Sequence, residues 1–388
     1  MEFLMMKDKS IVILVFSGYY LPGYKGGGPI KTIKNLMDQL DEEISFCLIT
    51  SDRDLGDKLP YDSVNFDDWN RLGNTKVFYT QRGISGYRQI VKILSEKKYD
   101  IIYLNSFFSV RFSFIPLLIA KALHKTIILG PRGEFSEGAL SLKARKKRLF
   151  IKLYKALRLH QNTVFQASSN YEVEDIRRVL GSKVDIRIAE DIGSQEFAQY
   201  MPERESTALK AVFISRISPM KNLLAALEIL KNVRELVLYD IYGPIEDYDY
   251  WAKCEEAITK LPPNIQIEYK GELQPNEVVN TLSKYDAFLM PTKGENYGHV
   301  IAEALCAGLP IIIADTTPWR NLQELGIGWD LPLNNHKAFS DAIDQLANMS
   351  VDDYNEMRKR VLDWAKNKFS QRDAIEANIA MFEYAANK

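Results

Sequence analysis

Short apolar runs alternate with helical patterns along most of this sequence, and that alternation leaves few folds open. Ile11–Phe16, Ser45–Thr50, Lys76–Tyr79, Ile101–Leu104, Thr126–Leu129 and Val164–Ala167 read as strands. Ile30–Leu40, Gly86–Lys97 and Ser109–Leu123 read as helices among them, and Asn170–Leu180 as the helix after the last. A strand that is apolar at nearly every position is covered on both faces, which predicts a parallel sheet with helices on either side. The pattern pauses over Ala189–Thr207, a polar mixture with Gly193 and Pro202 that reads as a connection. It resumes with strands at Lys210–Ser215, Val237–Tyr242, Ile265–Tyr269, Ala287–Met290 and Ile311–Ala314. Helices are expected at Asn222–Leu230, Trp251–Leu261, Gln274–Lys284 and His299–Ala307, a short edge strand at Leu325–Gly328, and helix throughout Lys337–Ala386. The expected architecture is α/β: two Rossmann-like, doubly wound domains, residues 1–190 and 208–365, facing a central cleft. Ligands in such sheets bind beyond the carboxyl ends of the strands.

At 388 residues the chain is long enough for each domain to bury its own core. A net charge of −1 argues against general nucleic-acid binding, which calls for a basic excess. Cys47, Cys254 and Cys306 are far apart and lack metal-ligand spacing, and they read as small buried residues of a reducing compartment. The scattered histidines offer no ligand pair at helical spacing, so no zinc site is expected. Ile11–Phe16 follows Lys7 and Lys9 but is short, and it leads into a glycine-rich loop instead of a cleavage site. Phe112–Leu123, broken by Lys121, falls short of the roughly 20 residues that span a bilayer. A cytoplasmic protein without a transmembrane helix is expected.

Met290–Asp315 is the stretch richest in chemistry. It reads as strand end, glycine-bearing loop, helix and strand, with Glu295 on the loop and Glu303 in the helix. Tyr297, Gly298 and His299 lie where a helix start exposes backbone N–H donors, and donors flanked by carboxylates suit a ligand with phosphate and hydroxyl groups, such as a sugar nucleotide. An ionised carboxylate accepts bonds from both ribose hydroxyls, which suits Glu303 and leaves Glu295 to the sugar. Arg216 stands at a strand end and Lys221 at the next helix start. Two cations there can clamp a diphosphate and stabilise the charge that develops as it leaves. Taken alone, two exposed surface charges are the simpler reading. Gly26-Gly27-Gly28-Pro29 permits close backbone approach and aims a helix N-terminus at a diphosphate, or is a flexible turn. It matches neither the dinucleotide-binding nor the Walker glycine pattern. Gly243 and Gly271 end strands at one edge of the second sheet, either as points of ligand approach or as plain turns, with Glu272 and Leu273 placed to border a nucleobase.

In this order, Gly26–Gly28, Arg216 and Lys221, Gly243, Gly271 and the Glu295–Glu303 run, with its Asn-Tyr-Gly and Ala-Gly-Leu-Pro flanks, resemble the retaining glycosyltransferases of the GT-B fold, family 4, the glycosyl transferases group 1 type. The resemblance is strong over residues 211–315 and weaker in the first half. It implies transfer of a sugar from a nucleotide-diphosphate sugar to a hydroxyl of a glycan or lipid-linked glycan, in bacterial surface polysaccharide assembly, lipopolysaccharide included. Arg216 and Lys221 would bind the diphosphate and Glu303 the ribose. Glu295 and the amides of Asn296–His299 would hold the sugar, and Gly27, Gly28, Gly243 and Leu273 would complete the donor site. Residues 366–388 would cross back as a helix to brace the first domain. Front-face attack is expected, the departing phosphate taking the acceptor's proton, with no cofactor and no metal because the two cations neutralise the leaving group.

The chain departs from that pattern twice. Where family members often carry a histidine after the strand corresponding to Thr126–Leu129, this chain reads Gly130-Pro-Arg-Gly-Glu134. Arg132 keeps its proton and cannot act as a base. It is expected to pair with a phosphate or an acidic acceptor, Glu134 orienting the acceptor hydroxyl; the alternative is a structural ion pair. Thr316–Leu322 replaces a glycine-rich stretch and leaves Trp319 without a role.

From Gly138 to Tyr171 there is no acidic residue, and Lys143, Arg145, Lys146, Lys147, Arg148, Lys152, Lys155 and Arg158 interleave with Leu149, Leu153 and Leu157 at helical spacing. Such a helix docks on anionic lipid, on the inner face of the cell membrane, unless its leucines pack on the sheet and the basic face is only solvated. Two rival readings stand beside the transferase: a catalytically silent nucleotide-sugar-binding module, and a nucleotide-sugar epimerase on a related fold.

Overall fold

The computed structural model describes residues 11–96, 98–204 and 208–388. Lys7 and Lys9, the expected helix end at Lys97 and the end of the connection at Thr207 lie outside the described residues. The chain divides into two compact units, Met1–Ile192 with Arg372–Lys388, and Gly193–Gln371.

The first unit runs β1 (Ile11–Phe16), α1 (Gly28–Gln39), β2 (Ile44–Ser51), β3 (Trp69–Leu72), β4 (Thr75–Thr80), α2 (Ile84–Leu94) and β5 (Ile101–Leu104). A π-helical turn, Val110–Phe114, leads into α3 (Ile115–Ala122), followed by β6 (Thr126–Leu129), α4 (Glu137–Ser141), α5 (Ala144–Ala156), β7 (Val164–Ala167), α6 (Asn170–Leu180) and β8 (Asp185–Ile188). The eight strands lie in the order β3-β4-β2-β1-β5-β6-β7-β8, parallel apart from β3 against β4. Side chains alternate across a strand, so β1 feeds two cores: Leu14 and Phe16 join α2, α3, α5 and α6 on one face, and Ile13 and Val15 join α1 on the other.

The second unit runs β9 (Leu209–Ile214), α7 (Leu223–Leu230), β10 (Val237–Tyr242), α8 (Tyr248–Ile258) and β11 (Ile265–Gly271). A short 3-10 turn, Pro275–Glu277, precedes α9 (Val278–Leu282), then come β12 (Ala287–Met290), α10 (His299–Cys306), β13 (Ile311–Ala314), β14 (Gly328–Leu331), α11 (His336–Ala347) and α12 (Val351–Ser370). Its six strands, β11-β10-β9-β12-β13-β14, are all parallel. The final helix, α13 (Asp373–Ala386), belongs to the first unit, where Phe382 meets Phe46 and Tyr103 edge-on at ring separations of 6.1 and 5.4 Å.

Two doubly wound α/β units are thus present, and the strands expected within each sheet's interior fall where the apolar runs placed them. Four details differ. The sheet also holds β3 and β8, which the sequence conceals because edge strands need no continuous apolar run. The last edge strand is Gly328–Leu331, not Leu325–Gly328: Leu325 is exposed, and Gly328 passes so close to Ile311 that a Cβ would lie 2.1 Å from its carbonyl oxygen. The expected Gln274–Lys284 helix forms as the 3-10 turn, which Pro275 opens, followed by α9. The closing segment is helical as expected but broken into three helices, and Ser350 restarts the chain by accepting a bond from Asp353 N–H at the start of α12.

Candidate functional site

In the second sheet β9 and β12 are neighbours, so the loops leaving their carboxyl ends meet. Asn222, left-handed at φ 60°, closes the turn after β9, and its side-chain amide donates to the Pro291 carbonyl at 2.9 Å. The Met220 carbonyl accepts from Lys293 N–H at 2.9 Å and from the Thr292 hydroxyl at 3.1 Å. These bonds bring Lys221 Nζ to 2.5 Å from Glu295 Oε1, with side chains only 16% and 10% exposed. Arg216, five residues earlier in the same turn, pairs instead with Glu246 at 3.0 Å and is more exposed. Each cation therefore has its own carboxylate partner, and Glu246 carries no sequence signal that would have assigned it to Arg216.

After Glu295 the chain enters α10 through Gly298, at φ 82° and ψ 62°, a conformation that favours glycine. Gly298 has no side chain to cap the helix, so its N-terminus stays a place for a ligand's negative charge. The side chains of Tyr297 and His299 are buried with their rings 4.8 Å apart; only their backbone amides remain suited to the role expected of them. Glu303 is buried one turn into α10, and the nearby Cys306 thiol is pushed up to about 12, by burial first and then by Glu303. Thr316 donates to the Thr292 carbonyl at 2.7 Å and the Trp319 indole N–H to the Tyr297 carbonyl at 2.5 Å.

The glycines divide by cause. At Gly243, φ 132°, a Cβ would lie 1.9 Å from the Ser215 carbonyl oxygen, so close strand approach alone requires glycine there. Gly271 and Gly27, at φ 79° and 64°, face open space. Leu273 is partly buried against the core of the second unit, while Glu272 is exposed. Gly27 and Gly28 stand at the start of α1, with Pro29 in its first turn, in the first unit.

Arg132 and Glu134 are not where an acceptor would meet them freely. Arg132, left-handed at φ 56°, is almost wholly buried and paired with Asp191, whose other oxygen accepts from Thr32 at 3.0 Å. Its guanidinium also donates to the Tyr103 hydroxyl and to Asn105 Oδ1 at 2.7 Å. Burial alone would loosen its proton, but Asp191 and Tyr103 hold it, so Arg132 is a fixed internal cation. This is the structural ion pair, and it replaces the expectation of a cation offered to an acceptor. Both Glu134 oxygens are likewise occupied. One accepts from Ser106 at 2.8 Å and the other from the backbone amides of Phe107 and Phe108, which ties down the loop before the π-helical turn. Burial pushes the Glu134 carboxyl up, partly offset by those bonds. Glu172, buried, holds the same turn by accepting from Gly133 N–H at 2.7 Å. Partners 59 residues apart, as Arg132 and Asp191 are, leave no trace in local sequence.

Residues 197–367 match the family described as Glycosyl transferases group 1. Over that stretch the chain is similar to the glycosyltransferases of that family. Over 307 residues the chain is 23% identical to an uncharacterized 41.2 kDa protein in the cps region of Klebsiella pneumoniae, covering 76% of this chain and 81% of that one. Sucrose-phosphate synthase from Thermosynechococcus elongatus superposes with a TM-score of 0.72 at 15% identity, over 97% of this chain and all of that one. HepE of Anabaena, solved with UDP and glucose, gives 0.69 at 15% identity over the same shares. At that identity the structures speak for the fold, and the fold is that of GT-B glycosyltransferases. The matched stretch spans every site residue of the second unit, from Arg216 to Glu303.

Proposed function

We propose that the chain is a retaining, family 4 type glycosyltransferase that moves a sugar from a nucleoside-diphosphate sugar to a hydroxyl of a glycan or lipid-linked glycan in surface polysaccharide assembly. One observation carries the reading: Lys221 and Glu295 meet beside the N-terminus of α10 within the stretch that matches glycosyl transferases group 1. The occurrence of a relative in a cps region supports the polysaccharide setting.

In this mechanism the incoming diphosphate draws Lys221 from Glu295 and Arg216 from Glu246, and lies where the first amides of α10 also donate. Glu295, released, accepts from the sugar hydroxyls, and Glu303 from the ribose. The acceptor hydroxyl attacks the anomeric carbon from the side on which the nucleoside diphosphate departs. The bond from that carbon to the phosphate oxygen breaks as the new glycosidic bond forms, and the leaving phosphate takes the hydroxyl proton. Arg216 and Lys221 stabilise the developing charge, so no metal is invoked. The residues that hold the acceptor are left unassigned, since Arg132 and Glu134 are engaged within their own unit.

The same reading includes an anionic membrane surface as partner. On α5 the inward face is Phe150, Ile151 and Tyr154, while Leu149, Leu153 and Leu157 are 70%, 49% and 52% exposed. Packing on the sheet therefore does not account for these leucines. α2, α3 and α5 contain no acidic residue, in contrast to α6 on the same face of the first sheet, and Val91 of α2 and Leu118 of α3 are also exposed. Among the described residues no helix is long and apolar enough to cross a membrane.

Thermal stabilisation across UDP-, GDP-, ADP- and CMP-sugars, with UDP-sugars first because HepE was solved with UDP, tests the donor class. Acceptor-dependent release of nucleotide then supports transfer. Interconversion of the free donor would instead support an epimerase, and tight binding without turnover a silent module.

A further inference from the structure

We propose that Trp319 is a positioning residue for the donor loop, aiming the Gly298 amide by holding the Tyr297 carbonyl; this rests on the donor-site reading above. Thr292–Tyr297, which carries Glu295, is fastened at both ends by one short segment after β13. Thr316 holds the Thr292 carbonyl at its start, at 2.7 Å, and Trp319 holds the Tyr297 carbonyl at its end, at 2.5 Å. The C=O and N–H of a trans peptide point in opposite directions. Fixing the Tyr297 carbonyl on the indole therefore turns the Gly298 N–H away from Trp319, at the entrance to α10. The indole itself has little freedom. It is 7% exposed, meets Tyr297 at a ring separation of 5.4 Å, and is backed by Trp364 and Phe369 of α12 at 6.3 and 6.2 Å. A Cβ at Gly298 would come 3.4 Å from the indole nitrogen, so the peptide has little room to turn back.

Trp319→Phe keeps an aromatic ring in the cluster and removes the N–H donor together with the five-membered ring that carries it, and Thr316→Val removes the donor at the other end of the loop at nearly constant volume. Hydrogen exchange without ligand comes first. In Trp319→Phe the amides of Ile301 and Ala302, which donate to the Gly298 carbonyl, should exchange roughly tenfold faster while β12 stays unchanged. Equal exchange in variant and wild type would overturn the clamp. The second arm uses UDP-glucose, GDP-mannose and ADP-glucose, taking whichever stabilises the wild-type protein. Its KM should rise about tenfold in Trp319→Phe with kcat within about twofold, the split expected for lost ground-state positioning. Faster exchange with an unchanged KM would overturn the positioning role. If none of the three binds the wild-type protein, the donor reading fails, and the exchange arm still decides whether Trp319 holds the loop.

Discussion

Lys221 Nζ rests 2.5 Å from Glu295, so the cation assigned to the diphosphate and the carboxylate assigned to the sugar occupy one another before a donor arrives. Donor binding is then an exchange of partners, with opposite consequences for the two residues. Lys221→Ala should lower turnover by roughly tenfold or more, because the leaving group would lose one of the two cations assigned to it. Near-normal kcat and KM in that variant would sink the assignment.

Glu295→Gln should act differently on product and on substrate. Removing the competing carboxylate frees Lys221 for phosphate, so the free nucleoside diphosphate should bind about threefold tighter or more, while sugar transfer falls. Titration calorimetry with UDP, GDP and ADP checks the first part. Weaker binding of all three would contradict the exchange of partners.

Arg132→Ala should cost stability before it costs chemistry. It strands Asp191 in a buried site, a loss of about 3–5 kcal/mol for a broken buried pair. Urea unfolding measures this; an intact unfolding midpoint with lost activity would restore Arg132 to the reaction.

Glu134→Gln gives a pH test. Burial raises the carboxyl's pKa in the folded state, so the folded protein binds a proton there more readily than the unfolded chain. Its contribution is therefore most favourable at low pH and is lost as pH rises through the raised folded value. Glutamine can keep its oxygen on the Phe107 and Phe108 amides and turn its amide group to Ser106. Relative to wild type, the variant should gain stability as pH rises from the ordinary carboxylate range through the raised folded value. A constant difference across that range would count against the account.

Leu149→Glu with Leu153→Glu should abolish docking on phosphatidylglycerol vesicles without unfolding the protein, since both side chains face outward. Wild type should sediment with those vesicles, release as salt rises, and ignore phosphatidylcholine, each basic residue near the surface contributing about 1 kcal/mol. Absence of wild-type binding even at low salt rejects the membrane partner.

The sheets were legible because their inner strands are short apolar runs bounded by helices, and Ile11–Phe16, Ile101–Leu104 and Val237–Tyr242 keep their read boundaries. β3 and β8 were not, because a strand with one neighbour can remain polar. Within the site, the proximity of Lys221 and Glu295 follows from strand order, which a linear pattern does not contain: 74 residues separate them, yet β9 and β12 pair. Arg132 shows the reverse limit. Its residue type was plain in the sequence, but its meaning depended on Tyr103 and Asn105 at the end of β5 and on Asp191 after β8.

The place of α13 bears on how the protein is made. The core behind Ile13 and Val15 includes Met381, Phe382 and Ala385, and Asn378 donates to the Glu190 carbonyl at 2.9 Å. During synthesis the N-terminal part therefore emerges first but remains without one of its walls until the last helix has left the ribosome. The Gly193–Gln371 unit is continuous in sequence and has no such wait. The part of the chain made second is thus free to finish folding first, and a chain cut after Gln371 would keep the Gly193–Gln371 unit whole while leaving the core behind Ile13 and Val15 without α13.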